Sequence, residues 1–296
     1  MQELDTLINI CNEVSVYIQK NYYNAQAKFL KQYSYQNVSG DLQKGIDDIV
    51  NAKIIDLIKA AGLPVIIISE ETGIIELSPN PSHFLLLDPI DGSNNVRPWF
   101  TPAPNLVISM GMGNITELAS QGLDAIEVSI VKEIFSTNIY YSIKKQGAFY
   151  RNNQMEHKLL VSTLKSLESP VIGLDLDKKD SFEDNLPKFI SQKILVRRLG
   201  STILDLCQVA SGQYDAYLSL GKRLKVTDVC QPYALITAAG GYMEIIPYYK
   251  NELYSGNFLY KCIKDQSLLL DIRFKIIAAG TKELLQEIKN WLVVSG

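Results

Sequence analysis

Residues 84–95 read Phe-Leu-Leu-Leu-Asp-Pro-Ile-Asp-Gly-Ser-Asn-Asn, and this stretch decides the fold. The apolar run at its start predicts a buried strand. Pro89 and Gly92 predict that the chain turns just after Asp88, where the strand ends. We therefore expect two carboxylates, one hydroxyl and two side-chain amides to lie together at the end of one buried strand.

The groups that follow this strand suit a metal ion and an anion. Asp88, Asp91 and the carbonyl of Ile90 can face one hard cation, and oxygen ligands of this kind suit Mg²⁺. The backbone amides of residues 92–94 can bind an anion if a helix begins there. Asp, Pro and Gly are also the commonest residues of surface turns, so the segment taken alone is equally consistent with an ordinary turn.

Composition narrows the class of protein. The 296 residues are 47% hydrophobic and 21% charged, as in a globular protein of one bilobed unit or two domains. A net charge of −3 gives no basic field for nucleic acid, so we expect no such partner. We also expect no signal peptide and no membrane span. Four scattered cysteines indicate reduced thiols and a cytoplasmic protein, and two distant histidines argue against a zinc site.

Strands and helices alternate along the chain, so we predict an α/β or α+β fold with mixed sheets. Apolar spacing predicts amphipathic helices over residues 4–19 and 47–61, and a later helix that begins at Asp228. We expect an N-terminal α+β half, residues 1–145, with most metal ligands, and a C-terminal α/β half, residues 146–296. Further strands are expected at residues 65–68, 106–112, 125–130, 139–143, 171–174, 215–218 and 274–279, with a charged loop at 178–184 and a last helix at 282–292.

Other acidic residues also lie at the ends of predicted elements. Glu70 and Glu71 follow the short strand at residues 65–68, whereas Asp47 and Asp228 begin helices. Each has an ordinary explanation, because acids cap helix N-termini and exposed loops carry charge. Together they favour a functional site, since a buried strand followed by two acids occurs twice, near residue 70 and near residue 90.

Taken in order, these motifs resemble those of the inositol monophosphatase family, which belongs to a lithium-sensitive, magnesium-dependent phosphatase superfamily that includes fructose bisphosphatases. The resemblance spans roughly residues 5–290. The matching segments are Asp41-Leu42 with Asp47, Ser69-Glu70-Glu71, Asp88-Pro-Ile-Asp-Gly-Ser93, Gly147-Ala148-Phe149, Arg198-x-Gly200-Ser201, and Thr227-Asp228-Val229 followed by Ala239-Gly240-Gly241.

The resemblance implies a five-layer αβαβα sandwich with a metal site in the cleft between its halves. Glu70, Asp88 and the Ile90 carbonyl would hold a first Mg²⁺, and Asp88, Asp91 and Asp228 a second. A third, weaker ion would lie near Glu70 and Asp47. Mn²⁺ is expected to substitute for Mg²⁺. Lithium, which is similar in size to Mg²⁺ but carries half its charge, is expected to inhibit.

The resemblance also implies hydrolysis of a small phosphate ester by a homodimeric enzyme. Water activated by the metal would attack the phosphorus in line, as in other two-metal sites. Asp47 and Ser93, with Glu70, would orient or deprotonate this water. The substrate side would comprise Asp91, Gly92, Ser93, Asn94, Arg198 and Ser201.

The chain departs from the family where the substrate is expected. Thr227 replaces the usual Trp, and residues 219–225 contain no acid, although inositol-specific members carry a Glu in that stretch. Inositol monophosphate and fructose 1,6-bisphosphate therefore both remain open as substrates. Lys222, Arg223 and Lys225 could meet a second phosphate, with a solvated basic loop as the alternative.

Two competing interpretations remain. One is a nucleotide phosphatase, for instance of 3′-phosphoadenosine 5′-phosphate. The other is a relative that binds a metabolite without turning it over, although retention of every expected acid argues against it. A nucleotide-binding P-loop, a complete dinucleotide fingerprint and a Gly-x-Ser-x-Gly motif are all absent from the sequence.

Overall fold

The computed structural model describes residues 2–24, 32–36, 42–96, 103–176 and 194–294. Asp41 of the early motif and the charged loop expected at residues 178–184 lie outside these ranges. Over the described ranges the helices are α1 (Gln2–Asn24), α2 (Gly45–Ala60), α3 (Ile115–Gln121), α4 (Thr202–Ala210), α5 (Val226–Ala238), α6 (Phe258–Cys262), α7 (Gln266–Asp271) and α8 (Lys282–Val294), with 3₁₀ turns at Ser93–Asn95 and Gly122–Ala125.

The strands are numbered in chain order. They are β1 (Gln32–Gln36), β2 (Leu42–Lys44), β3 (Val65–Ser69), β4 (Gly73–Glu76), β5 (His83–Asp91), β6 (Val107–Asn114), β7 (Ile126–Glu133), β8 (Ile139–Ile143), β9 (Gly147–Arg151), β10 (Glu156–Lys158), β11 (Val171–Leu174), β12 (Leu195–Arg197), β13 (Ala216–Leu224), β14 (Tyr242–Tyr249), β15 (Glu252–Leu253) and β16 (Ile272–Ala279).

The first sheet brings the two acidic segments side by side. Its described strands follow the order β10-β9-β8-β7-β6-β5-β3-β4. Within it β3 and β5 run parallel, with Ser69 paired to Leu87. The Glu70 backbone amide donates to the Leu87 carbonyl at 3.1 Å, so Glu70 lies beside Asp88. The strand does not end at Asp88 as the sequence predicted, because β5 continues to Asp91. The uninterrupted apolar run of β5 fits a strand that is buried on both faces.

A second sheet and three helical layers complete the fold. The second sheet has the order β12-β11-β13-β16-β14-β15. Helices α1 and α2 pack on the outer face of the first sheet, where Val14, Val50 and Leu85 belong to one buried hydrophobic cluster. Helices α4 and α5 lie between the sheets, and α8 covers the outer face of the second. The predicted α/β class and five-layer αβαβα sandwich are confirmed.

The first sheet extends beyond the division expected between residues 145 and 146. That division falls inside the β8–β9 hairpin, and β9 and β10 both pair within the first sheet. We propose that the two halves divide after Lys158 instead, because the second sheet begins with β11. The stretch from Gly147 to Lys158 then belongs to the N-terminal half.

Several elements differ from the sequence prediction. Helix α5 begins at Val226, two residues before Asp228. The apolar segment Tyr242–Tyr249 is a strand paired along its whole length with β16, and α3 occupies residues 115–121.

No helix in the described part of the chain is long and apolar enough to cross a membrane. The four cysteines are buried free thiols.

Candidate metal centre and active site

Three carboxylates converge where β3, β5 and α5 meet. Glu70 follows β3, Asp88 lies in β5, and Asp228 lies in the first turn of α5. One carboxylate oxygen from each lies within 4.8 Å of the other two. We call these three residues the acidic cluster. The elements that supply them are far apart in sequence, so the cluster depends on the folded packing of both halves.

Asp88 is the most deeply buried member of the acidic cluster. It shares a face of β5 with Phe84 and Leu86, which points toward the helices between the sheets. Asp88 is only 1% exposed to solvent. Oδ1 accepts a hydrogen bond from the Ile90 backbone amide at 3.0 Å. Oδ2 is buried and has no hydrogen-bond partner among the described residues, so one oxygen remains for a further ligand.

Asp91 is held by the start of α4. Its Oδ2 accepts hydrogen bonds from Ser201 Oγ at 2.6 Å and from the Ile203 backbone amide at 2.7 Å. The pairing of β5 with β6 is irregular between Asp88 and Asp91, which fits a β-bulge that re-aims the second carboxylate. A carboxylate at a helix N-terminus is also favoured by the helix dipole. Asp91 therefore links the two halves of the molecule next to the acidic cluster.

Asp228 is a capping residue and a cluster residue at once. As the third residue of α5, it accepts the Lys225 backbone amide on Oδ2 at 2.7 Å. The sequence offered capping and metal binding as alternatives, and the structure gives Asp228 both a capping bond and a place in the acidic cluster. The two are compatible because a carboxylate has two oxygens.

Glu70 forms an ion pair with Lys225 that sequence reasoning missed. Lys225 Nζ lies 2.8 Å from Glu70 Oε1, and the two side chains are only 10% and 18% exposed. The available signal was the basic stretch at residues 219–225, but it was interpreted as a surface for a second phosphate. A buried cation is thus present within the acidic cluster.

Burial and crowding make the acids hard to ionise. Burial raises the pKa of Asp88 well above its usual range, and the neighbouring charges of Glu70 and Asp91 raise it further. Burial also raises the pKa of Asp228 to about 8, again with help from Glu70. The pKa of Asp91 rises to about 6 through burial, opposed by the hydrogen bonds from Ser201 and Ile203. A bound cation would favour the charged forms and so relieve this cost.

The turn after β5 is fixed by Gly92. Its φ of 88° is left-handed, and a Cβ there would lie 2.4 Å from the Asn105 carbonyl oxygen and 3.0 Å from Ser201 Cβ. The helix expected after Gly92 is a single 3₁₀ turn, Ser93–Asn95. Ser93 is partly exposed and Asn94 is exposed, while a backbone hydrogen bond from Gly92 goes to the Asp91 carboxylate.

Asp47 belongs to α2, which packs on the outer face of the first sheet. It is buried in the first turn of α2. Asn51, one turn further along the same helix, accepts a hydrogen bond from Ser69 Oγ at 2.8 Å. Because Ser69 directly precedes Glu70, this contact fixes the N-terminal end of α2 against the segment that carries Glu70.

The residues expected on the substrate side have partners of their own. Arg223 Nε donates to Asp175 Oδ2 at 2.6 Å, and its guanidinium contacts the other oxygen of that carboxylate. Lys222 Nζ donates to the Asn251 carbonyl at 3.1 Å and lies 4.3 Å from the Tyr248 ring centroid. In both cases the cation is engaged by the C-terminal half, and the charge of Asp228 also acts on Arg223.

Ser201 and Arg198 also differ from the simple expectation. Ser201 is fully buried, and its hydroxyl donates to Asp91 and accepts the Leu204 amide as the N-cap of α4. Its contact is therefore with Asp91 rather than with solvent. Arg198 is exposed, and its charge lowers the pKa of the buried Asp205 carboxyl, although burial dominates and leaves that pKa at about 7.

The acidic cluster fits a hard divalent cation. All of its donor atoms are carboxylate oxygens, which suit Mg²⁺ or Mn²⁺ better than softer metals. Asp88 Oδ2 is buried without a partner among the described residues, as expected of an atom that awaits a ligand. The raised pKa values of Asp88 and Asp228 indicate a concentration of negative charge that a cation would neutralise.

Comparison with protein families agrees with this site. The model of the inositol monophosphatase family matches residues 1–246, which include every acidic residue described above. The chain belongs to the inositol monophosphatase family. The family consists of metal-dependent phosphatases, and the acidic cluster offers a place for a metal ion. The resemblance inferred from the ordered motifs is therefore confirmed.

Relatives within the family carry several names. The chain is 28% identical to a fructose-1,6-bisphosphatase/inositol-1-monophosphatase of Methanothermobacter thermautotrophicus, over 86% of this chain and 85% of that protein. It is 30% identical to a bifunctional NADP phosphatase/NAD kinase of Methanococcus maripaludis, over 60% of this chain but 32% of that longer protein. It is 27% identical to the Nus factor SuhB of Haemophilus influenzae, over 77% of this chain and 84% of that protein.

Solved structures agree on the fold. A crystal structure of an inositol monophosphatase–fructose 1,6-bisphosphatase superposes with a TM-score of 0.71 at 24% identity, covering 97% of this chain and 98% of that one. The extragenic suppressor protein SuhB of Bartonella henselae gives a TM-score of 0.72 at 17% identity, covering 99% and 98%. At these identities the likeness concerns the fold alone.

Proposed function

We propose that this protein is a Mg²⁺-dependent phosphatase of small sugar or polyol phosphomonoesters. Inositol monophosphate and fructose 1,6-bisphosphate are the proposed substrates. The observation that carries the proposal is the acidic cluster, in which three carboxylates converge and the buried Asp88 Oδ2 has no hydrogen-bond partner among the described residues. Membership of a phosphatase family supports the same class of reaction.

Metal ions would be held by Glu70, Asp88, Asp91 and Asp228, with the carbonyl of Ile90. Bound Mg²⁺ supplies Lewis acidity, which makes water a better nucleophile and stabilises charge on the phosphate and the leaving oxygen. Asp91 is aimed by Ser201 and the α4 N-terminus, so we assign Ser201 a positioning role through Asp91. The fixed Asp88 and Asp228 need little rearrangement to bind an ion.

The phosphate ester would bind at the turn after β5. Backbone amides of this turn, with the Ser93 hydroxyl, would donate hydrogen bonds to its oxygens, as the N–H groups at helix N-termini do for anions. Asp47 and Ser93, with Glu70, would orient the attacking water. The contact between Asn51 and Ser69 supports this role, because it keeps the start of α2 close to Glu70.

A second candidate is a nucleotide phosphatase. The 30% identity to the bifunctional NADP phosphatase/NAD kinase favours it, although the matched 184 residues make up only part of that protein. The absence of an acid in residues 219–225 favours it too, because the Glu expected to receive inositol hydroxyls is missing. NADP⁺ and 3′-phosphoadenosine 5′-phosphate are the corresponding substrates.

Phosphate release over a substrate panel tests both candidates. The purified protein is assayed with inositol monophosphate, fructose 1,6-bisphosphate, 3′-phosphoadenosine 5′-phosphate and NADP⁺, in Mg²⁺ and in EDTA. We expect Mg²⁺-dependent release, with the first two substrates preferred. A preference for NADP⁺ or the adenosine compound would select the second candidate. Metal-independent release, or none from any substrate, would contradict the proposal.

The homodimer implied by the family resemblance and the cytoplasmic location inferred from the scattered cysteines are also proposals. Light scattering during gel filtration tests the first, and we expect a mass of about twice the 33.2 kDa chain. A monomer at micromolar concentration would contradict it.

A further inference from the structure

Lys225 stands out because it is a buried cation inside the acidic cluster. Its side chain is 10% exposed, and its Nζ lies 2.8 Å from Glu70 Oε1. Lysine is rarely buried to this extent unless it is paired. The pairing partner here is an acid that the proposed function assigns to a metal ion. The same carboxylate oxygen is therefore contacted by a protein cation in the described structure.

The backbone holds Lys225 in this position. It is the residue between the end of β13 and the start of α5, and its own amide donates to Asp228 Oδ2 at 2.7 Å. One residue thus contacts two of the three members of the acidic cluster, Asp228 through the main chain and Glu70 through the side chain. The ammonium group is fixed to the cluster by the same turn that positions the third carboxylate.

The charges show what this contact does. The acidic cluster carries up to three negative charges, and Asp88 Oδ2 is buried with no hydrogen-bond partner among the described residues. An ammonium group at Glu70 neutralises one of these charges. It also occupies Glu70 Oε1 and repels an incoming divalent cation, because like charges within a few ångströms repel strongly in a buried site.

We propose that Lys225 is an internal counter-ion that competes with a divalent metal for Glu70. In the metal-free protein it stabilises the acidic cluster, and on metal binding its ammonium group gives up Glu70. The metal affinity of the site is thereby set lower than its carboxylates alone would give. This inference rests on the proposed function only in that Glu70 binds a metal.

The test compares Lys225→Met with the wild type by calorimetric titration with Mn²⁺ and by thermal unfolding with and without the metal. We expect about 10-fold tighter Mn²⁺ binding in the variant, since the competing cation is gone. We also expect a lower melting temperature than the wild type without metal, and an equal or higher one with saturating metal. A lysine with only a structural role would lower both melting temperatures alike.

Two further variants serve as controls. Lys144 forms a similar ion pair with Glu117 at 3.0 Å outside the acidic cluster, so Lys144→Met should leave Mn²⁺ affinity unchanged. Lys225→Arg keeps the charge and should bind Mn²⁺ as the wild type does. If Lys225→Met does not fold, Lys225→Gln replaces it. Folding that is rescued by Mn²⁺ supports the inference, and failure to fold in both conditions overturns it.

Other outcomes separate the inference from the proposed function. Unchanged or weaker Mn²⁺ affinity in Lys225→Met would overturn the competition, even if the enzyme remains a metal-dependent phosphatase. A raised KM with unchanged Mn²⁺ affinity would make Lys225 a substrate contact and would also overturn it. A wild-type protein that binds no divalent cation would contradict the proposed function itself.

Discussion

Asp91 is the acidic residue whose geometry is held most completely by its neighbours. Asp91→Asn would keep an oxygen to accept the Ser201 hydroxyl and the Ile203 amide, so the fold should persist. It would remove a negative charge beside the acidic cluster. We expect kcat to fall at least about 100-fold with an unchanged far-ultraviolet spectrum, because a ligand charge is lost. The measurement is steady-state phosphate release in saturating Mg²⁺.

Ser201→Ala is the matched control for Asp91→Asn. It leaves the charge of Asp91 in place and removes one of the hydrogen bonds that aim it. We expect a smaller loss, about 10-fold, as for other groups that orient a metal ligand. An Asp91→Asn variant with near-normal activity would show that this carboxylate is not part of the catalytic site.

Asp205 should make stability depend on pH. Burial raises its pKa to about 7, so the folded state binds its proton more tightly than the unfolded state does. The resulting stabilisation is complete below about pH 4 and is lost as the pH rises through about 7. Asp205→Asn lacks this titration. From pH 5 to pH 8 the wild type should therefore lose more stability than the variant, by at most about 4 kcal/mol.

Urea unfolding at both pH values checks this prediction, with saturating Mg²⁺ in every sample so that the acidic cluster stays ionised. Asn can still accept the Leu199 amide and the Tyr214 hydroxyl, which now bond Asp205 Oδ1. Equal pH dependence of the two proteins would mean that Asp205 titrates normally in the folded state.

Residue identity predicted the acids of the site but not their partners. Asp88 and Asp91 were predicted as metal ligands because hard oxygen donors follow a buried strand, and Asp228 was predicted through the family resemblance. The ion pair of Lys225 was not predicted, because a lysine in a basic stretch gives no indication of which carboxylate it will contact. Its partner Glu70 lies 155 residues away, so only the packing of the two halves brings them together.

Helix α5 packs closely against the first sheet through Gln231. This residue is fully buried, and its Oε1 and Nε2 have no hydrogen-bond partners among the described residues. Its Cγ lies 2.9 Å from the point where a Cβ on Gly111 would be, so a glycine is needed in β6. Unsatisfied buried amides are costly, and Leu is an apolar side chain of similar volume that branches one carbon nearer the main chain.

We therefore expect Gln231→Leu to raise the free energy of unfolding by about 1–3 kcal/mol. Denaturant unfolding measures this directly. Gln231→Ala is the control, because it removes the amide but leaves a cavity and should destabilise the protein. A destabilised Leu variant with native secondary structure would show that the amide of Gln231 is satisfied in solution.

At the level of elements, strong apolar patterns were predicted well and mixed patterns poorly. Strands β8 and β11 have the bounds that the sequence predicted. Strand β14 was missed because Tyr242–Tyr249 contains a proline and clustered aromatic residues instead of a clean alternation. Helix α5 begins before Asp228 because this acid caps it from the third position rather than from the position before the helix.

The fold of the whole molecule brings acidic residues from separate elements to one point. Glu70 and Asp88 come from the first sheet and Asp228 from a helix between the sheets. Asp91 accepts a hydrogen bond from the Ile203 amide of α4, and Asn95 donates one to the Leu199 carbonyl at 3.1 Å. The sequence predicted the five-layer arrangement through family resemblance. It did not predict these contacts, because they depend on how distant segments pack.

A metal bound at this junction should stabilise the entire fold. Its ligands come from elements that separate on unfolding, so the unfolded chain would bind it weakly. At about 100 times the dissociation constant we expect a gain of about 2.7 kcal/mol, seen as a higher melting temperature in Mg²⁺ or Mn²⁺ than in EDTA. K⁺ at equal ionic strength controls for general ionic effects. No rise with either divalent cation would contradict a metal site at this junction.

The most direct test of the account is to locate the metal by crystallography. Crystals soaked in Mn²⁺ are measured at a wavelength where manganese scatters anomalously. We predict an anomalous peak bounded by carboxylate oxygens of Glu70, Asp88 and Asp228, at metal–oxygen distances of about 2.0–2.4 Å. A map with no peak among these carboxylates, under conditions that support phosphate release, would contradict the assignment of this site as the catalytic metal centre.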